Sequence, residues 1–448
     1  MNTIKWVRFA TVLLTALATA STLPAMASPL SYARTYYVDP SGSDKADGLS
    51  PNSAWQTLDR ANSTSFAPRD SLLLRGGTEF AGTLHLDGGD TGRALTAVTI
   101  GSYGVGRATI NSHANPGVYV HNAAGVRVRD LVVIGDTAAY SAVGGIVFYN
   151  SAKTGRAFQG VTISDVDVSG FNNGIEIGGP LAGFHDVAIT RAVVHDNREA
   201  GLVTYGPPLD SDAPRYANEN VSVSSVEAFR NAGDATNAVR NTGSGIILGS
   251  VRGGTVAQSS AHDNGWLCKA GEGPAGIWAY DSTGVVIEHN VAYHNLTGSQ
   301  VDGDGFDLDQ NTSDSVLQYN LAYDNAGAGF LLYAAHAGLH NKNNVVRYNV
   351  SVGSPSAGGW YGAITVAGQV SGAQVYGNKA VAPETGEQRA PAVRLAGPMS
   401  DIVVRDNVLV AGDNGPFIAA DGVDSSAFVL QNNDYYGPSG SLGVNPPS

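Results

Sequence analysis

Short apolar runs bounded by glycine and asparagine recur along most of the chain, while helical periodicity is nearly absent. Six of them open on a glycine and share one alternation of apolar and variable positions. They are Gly174-Ile-Glu-Ile-Gly178, Gly201-Leu-Val-Thr-Tyr205, Gly245-Ile-Ile-Leu-Gly249, Gly276-Ile-Trp-Ala-Tyr280, Gly305-Phe-Asp-Leu-Asp309 and Gly329-Phe-Leu-Leu-Tyr333. A second strand type closes on Asn290, Asn320, Asn349, Asn378 and Asn407, at spacings of 30, 29, 29 and 29. A further set, Asn197, Asn231, Asn264, Asn295 and Asn325, recurs every 30 to 34 residues. A fixed period of this size, filled with β-branched runs, predicts stacked coils of short strands.

Three strands per turn with unequal corner loops describe an all-β, parallel β-helix, and parallel crossovers are right-handed. Roughly ten coils are expected between residue 117 and Tyr436. Residues 28–116 read as an N-terminal cap and first coils, with a strand near Thr35 and a short helix from Ala54 to Ala61; residues 437–448 read as a flexible tail. Asparagine suits the corners because it tolerates left-handed backbone and can hydrogen-bond its neighbours through its side-chain amide. The longest insertion lies between Gly201 and Gly245, and long loops on a regular scaffold are where function tends to sit.

Residues 1–27 carry the pattern of a secretory signal: Lys5 and Arg8, an apolar run from Phe9 to Leu23, then Ala25-Met26-Ala27. A secreted chain is therefore expected, with no membrane span elsewhere. Removing Lys5 and Arg8 takes the formal net charge from −13 to −15, which argues against a nucleic-acid partner. The single cysteine, Cys268, allows no intrachain disulfide, and the chain is expected to act as a monomer.

The densest chemistry is Asp302-Gly-Asp-Gly-Phe-Asp-Leu-Asp309, four carboxylates in eight residues. Side chains alternate along a strand, so Phe306 and Leu308 point inward and Asp307 and Asp309 face solvent from one exposed ridge. Reading the third and fifth positions down the stacked strands puts Glu176, Tyr205, Trp278, Tyr280 and Tyr333 on the same face. Aromatic faces beside carboxylates suit a sugar, whose C–H face packs on a ring while its hydroxyls need polar partners. Those five are the candidate substrate-binding residues, and the partner is a polysaccharide or oligosaccharide.

Crowded Asp304, Asp307 and Asp309 should hold one proton among them and raise one pKa, as a general acid requires; they are the candidate catalytic residues. The same acids could instead be a solvated turn or a structural calcium site, although no twelve-residue EF-hand follows Asp302. His195, His262 and His294 recur at one place in the repeat and read as ladder members. Zinc-ligand spacing and a Gly-x-Ser-x-Gly elbow are both missing. Lys269, Glu272 and Asp281 lie in or beside loops close to the acids.

With these motifs the chain resembles bacterial right-handed parallel β-helix proteins of the pectin-lyase-like superfamily that act on polysaccharides. Asp304-Gly-Phe-Asp307, followed one coil later by Gly327-Ala-Gly-Phe330, is similar to the acidic cluster of the pectate lyases of polysaccharide lyase family nine. That resemblance implies bound Ca²⁺, with Asp304 and Asp307 matching two of its ligands, and a lysine base one coil on; if calcium is bound, Asp302 is expected to join Asp304 and Asp307 in holding it. Gly303 stands where a third aspartate is expected and Leu331 where the lysine is expected, with Lys342 eleven residues further. Leucine cannot abstract the proton that β-elimination must remove. A glycoside hydrolase using paired aspartates, needing no cofactor, is therefore favoured over a calcium-dependent lyase, and a non-catalytic glycan-binding protein is the third reading. The missing basic clamp suits a neutral glycan.

Overall fold

The computed structural model describes residues 32–88, 96–136, 143–210, 214–335, 338–356, 360–383, 390–412, 415–437 and 444–445. The signal expected at 1–27 and most of the tail expected from 437 lie outside them. From Ala33 onward the chain is one compact solenoid. It is a parallel β-helix with 29 strands in one continuous sheet wrapping two faces and 13 in a second. Every step of the 13-stranded sheet is parallel, from Leu84–Leu86 through Asp304–Leu308 to Val444–Asn445.

Stacking begins earlier than the explicit repeats: Thr35–Val38 already pairs in parallel with Ser71–Leu74. The helix expected over Ala54–Ala61 is shorter, Leu58–Asn62, because Trp55 is held extended against Val38 and Thr57 caps the helix by accepting from Arg60 N–H. Tyr36 stacks on Trp55 at 4.9 Å, and Leu58 and Ala61 are buried with them.

One inward row of Ile175, Leu202, Ile246, Ile277, Phe306, Phe330 and Ile364 fills the interior beneath the 13-stranded sheet, and Phe306 and Phe330 stack at 5.1 Å. The glycine that opens each of these strands is required by the neighbouring coil. A Cβ on Gly305 would sit 2.8 Å from the Gly329 carbonyl oxygen and 2.9 Å from Asn325 Nδ2. The same atoms of Gly305 and Asn295 crowd Gly276 at 2.7 Å each.

The two asparagine series run as buried ladders. Asn290 donates through its N–H and Nδ2 to Asn320 Oδ1, at 3.0 and 3.1 Å, and Asn320 repeats this toward Asn349, Asn349 toward Asn378 and Asn378 toward Asn407. Of the two reasons expected for asparagine at the corner, amide bonding to neighbours is what the ladders show, and left-handed backbone is corrected. Left-handed backbone falls on the residue before it: His289, Tyr319, Tyr348 and Asp406 in one series, Asp196, Arg230, Asp263, His294 and Asp324 in the other. The asparagines are kept for their amides, which satisfy corner N–H groups that no strand ladder reaches. His195 and His262 belong to an outer stack with Phe229, Tyr293 and Tyr323, ring centroids 4.6–5.2 Å apart, while His294 meets Tyr293 edge-on.

Candidate functional site

Register alone brings the acidic strand between aromatic neighbours: Trp278 pairs with Asp307, and Asp307 with Leu331. The outer face here is walled by loops, so these positions line a cavity of about 1230 Å³. Its walls include Asn241, Glu272, Trp278, Tyr280, Asp302, Asp304, Asp307, Asp309, Leu331, Tyr333, Trp360, Tyr361 and Asp421. The exposed ridge expected from alternation is corrected to a sunken floor: Asp307 is 6% exposed and Asp304 1%. Trp278 is buried too, its Nε1 donating to Ser244 Oγ at 3.1 Å. Asp302 and Asp309, flanking that floor, are the two partly open acids of the motif.

The four carboxyls have different partners. Asp302 Oδ1 accepts from the Tyr361 hydroxyl at 2.5 Å and Oδ2 from Gly273 N–H at 2.6 Å, while Asp302 N–H donates to the same Tyr361 oxygen at 2.9 Å. Asp304 Oδ1 accepts from Ala328 N–H, and Gly327 leaves room for it: a Cβ there would meet that oxygen. Asp304 Oδ2 has no donor within reach. Its neighbour is Asp302, another acceptor, so a bond between them requires a proton on one carboxyl. Asp307 Oδ1 is likewise buried without a partner. Asp309 Oδ1 accepts from Gln310 N–H at 2.7 Å.

Burial is the largest influence on all four and pushes each carboxyl up. Asp304 and Asp307 rise well above the usual range, Asp304 with Asp302's charge and Asp307 with those of Asp309, Asp304 and Asp302 adding to burial. Asp309 is pushed up to about 7, its bond from Gln310 N–H opposing the rise. Asp302 is raised less, because Tyr361 and Gly273 donate to its charged form. The four environments therefore differ: Tyr361 O–H and Gly273 N–H favour the charged form of Asp302, neighbouring carboxyls add to burial in pushing Asp304 and Asp307 up, and the rise at Asp309 is opposed only by the Gln310 N–H.

Of the residues expected around the acids, Trp278, Tyr280, Tyr333 and Glu272 line the cavity. Glu176 and Tyr205 do not. From the acidic strand, that of Glu176 lies four coils away and that of Tyr205 three, about 19 and 14 Å at about 4.8 Å per step. There the Glu176 carboxyl, pushed up by burial, accepts from Asn173 Nδ2 at 3.1 Å and bonds with Tyr205. Nearby, His85, Tyr119, His121 and Tyr149 stack ring on ring, which uses up the ring faces a sugar would need. Lys269 donates to the Gly298 carbonyl, and Asp281 accepts from Asn311 Nδ2 and Leu209 N–H; neither lines the cavity. Trp360, Tyr361 and Asp421 were not anticipated. They come from coils two and more ahead, and the only sequence trace is an aromatic pair just before a glycine-led strand.

A calcium ion on Asp302, Asp304 and Asp307 does not fit this arrangement. Both Asp302 oxygens and one of Asp304 already accept hydrogen bonds from protein donors, and among the described residues no three His, Cys, Asp or Glu side chains are set to hold a metal. The lysine base implied by the resemblance has no counterpart either. Leu331 is buried at that position, Lys342 faces a separate 450 Å³ cavity, and no Lys, Arg or His stands among the described residues of the acidic one.

Fold and site together define a right-handed parallel β-helix protein with an acidic, aromatic-walled cavity on one sheet. The family description "Right handed beta helix region" matches residues 219–380. Among curated proteins the chain is similar to the lacto-N-biosidase of Bifidobacterium longum subsp. longum, 23% identical over 425 residues, which is 72% of this chain and 26% of that protein. The chain thus spans about a quarter of the length of that relative. Among solved structures it is similar to the GH136 lacto-N-biosidase of Eubacterium ramulus (TM-score 0.50, 16% identity, 90% of this chain and 68% of that one). It is also similar to the A-module of the mannuronan C-5 epimerase AlgE4 of Azotobacter vinelandii (TM-score 0.52, 14% identity, 92% and 99%). These likenesses agree with the pectin-lyase-like architecture expected from the sequence.

Proposed function

We propose that this protein is a secreted, glycan-cleaving enzyme, a glycoside hydrolase whose carboxyl pair is Asp302 and Asp309. The observation that carries the reading is the division of the four acids within one aromatic-walled cavity. Hydrolysis needs one carboxyl that gives up a proton near working pH and one held as carboxylate, and their environments must differ. Asp309, near 7, is the general acid that protonates the leaving oxygen. Asp302, whose charged form Tyr361 and Gly273 favour by donating to it, is the partner that activates water or attacks the sugar carbon. Asp307 and Asp304, whose neutral forms burial and the neighbouring carboxyls favour, are left to donate to sugar oxygens or to hold Asp302. The similarity to lacto-N-biosidases supports a reading in which the bond is hydrolysed.

Elimination is disfavoured by the same cavity. It needs a base of appreciable strength beside an acidic C–H, and the phenols available are weak candidates because burial pushes Tyr280 up to about 12. The deciding experiment incubates purified protein with a panel of plant, microbial and animal glycans and follows both new reducing ends and the ultraviolet absorbance of unsaturated uronates. Reducing ends without absorbance, unchanged by EDTA, are expected. Absorbance that disappears with EDTA would instead establish the calcium-dependent lyase. The pH profile is a second check: kcat/KM should fall as pH rises above about 7, because Asp309 loses the proton it must donate. An acid limb alone, with full activity at pH 9, would remove Asp309 from that role.

A further inference from the structure

The charge of the cavity says what kind of sugar it admits. Six acids line it, Glu272, Asp302, Asp304, Asp307, Asp309 and Asp421, and the described lining holds no basic side chain. The nearest guanidinium, Arg394, is bonded to Asp421. We propose that the cavity takes an uncharged glycan and rejects uronic acid polymers, which separates it in substrate class from the mannuronan-active protein whose fold it shares. The inference rests on the cavity being the glycan site of the proposed hydrolase.

Three observations converge. A uronan chain carries one carboxylate per sugar, and each would enter a cavity whose described lining holds six carboxyls and no basic side chain to pair with it. Like charges brought together without a partner are how interfaces refuse a ligand. The deepest acids meanwhile present unsatisfied oxygens. Asp304 Oδ2 and Asp307 Oδ1 are buried and unpartnered, an arrangement that persists when the carboxyls are neutral and a ligand supplies hydroxyl groups to them. Finally, Trp278, Leu331, Tyr333 and Trp360 supply apolar surface, Trp360 being 43% exposed beside the mouth, for the C–H faces of uncharged sugars. Of the six acids, Asp302 accepts from Tyr361 and Gly273 and Asp421 is paired with Arg394, which leaves Glu272, Asp304, Asp307 and Asp309 to meet sugar hydroxyls.

The test is an immobilised-glycan array carrying neutral hexose and N-acetylhexosamine oligosaccharides, mannuronate and galacturonate oligomers, their carboxyl-reduced neutral forms, and deacetylated chitosan oligomers. It is probed with the full chain bearing Asp309→Asn, so that bound glycans are not turned over. At least one neutral glycan is expected to bind about 100-fold tighter than any uronate oligomer, and carboxyl reduction should improve any uronate oligomer that binds weakly. A uronan or chitosan oligomer binding as tightly as the best neutral one overturns the inference, as does an array on which no neutral glycan is retained. Cleavage by the unmutated protein is scored separately. Neutral binding without hydrolysis leaves this inference standing and removes the enzyme reading, whereas uronan hydrolysis does the reverse.

Discussion

Asp309→Asn is expected to lower kcat/KM by about 10²–10⁴-fold while leaving the fold intact, the usual cost of losing a positioned general acid. Asp307→Asn is expected to cost about tenfold or less, because the carboxyl it replaces is already neutral at pH 7 and asparagine can still donate one hydrogen bond. The order of the two variants is the informative result. A severe loss at Asp307 with a mild one at Asp309 would transfer the acid role to the buried residue. Thermal unfolding separates catalysis from structure. Burial raises the Asp309 value from 3.8 to about 7, so its protonated form is favoured in the folded chain. The stability it contributes is complete below the unfolded value and is lost as pH climbs through about 7. Asparagine is neutral throughout, so above pH 7 the variant should melt at or above the temperature of the unmutated protein. Inactive and less stable variants would indicate a structural cluster, the reading that makes this a non-catalytic surface protein.

The repeat was legible because each coil must accept the next. Gly305 and Gly276 are readable as a series since any Cβ there meets the neighbouring carbonyl, and the asparagines are readable because an amide ladder needs the same residue on every rung. Alternation likewise told Asp307 from Phe306. It could not tell how deep Asp307 lies, because depth is set by loops around Ala238, Glu272 and Trp360 whose sequences have no period. Nor could it find Tyr361, whose hydroxyl reaches Asp302 from 59 residues away and favours its charged form against burial. Glu176 and Tyr205 were misplaced for the opposite reason. They share the register of the acidic strand, but register fixes a row along the solenoid and says nothing of distance down it. Four coils separate Glu176, and three separate Tyr205, from the acidic strand.

Asn320→Ala should cause the largest loss of stability of any single change outside the site. Asn320 is 2% exposed and sits in mid-ladder. Its Oδ1 accepts from Asn290 N–H at 3.0 Å and Asn290 Nδ2 at 3.1 Å, and its Nδ2 donates to the Ile287 carbonyl at 2.8 Å and to Asn349 Oδ1 at 3.1 Å. Alanine deletes all four bonds and leaves Asn290 N–H buried without an acceptor. Asn290 Nδ2 keeps the Val256 carbonyl, so the stranded groups are one donor, Asn290 N–H, and one acceptor, the Ile287 carbonyl, and at about 1–3 kcal/mol each they give a destabilisation of roughly 2–6 kcal/mol. Aspartate is the informative contrast. It can accept from Asn290 but cannot donate to Ile287, and it buries a charge or forces a proton, so it should fare no better than alanine. Because solenoid coils are stabilised by their neighbours, the loss should be local at first. Hydrogen exchange is expected to accelerate in the coils containing Asn290, Asn320 and Asn349 before the Thr35–Val38 end is affected. Uniform acceleration along the whole chain, or a denaturation midpoint unchanged from the unmutated protein, would show that the asparagines merely occupy the corner and do not hold the coils together.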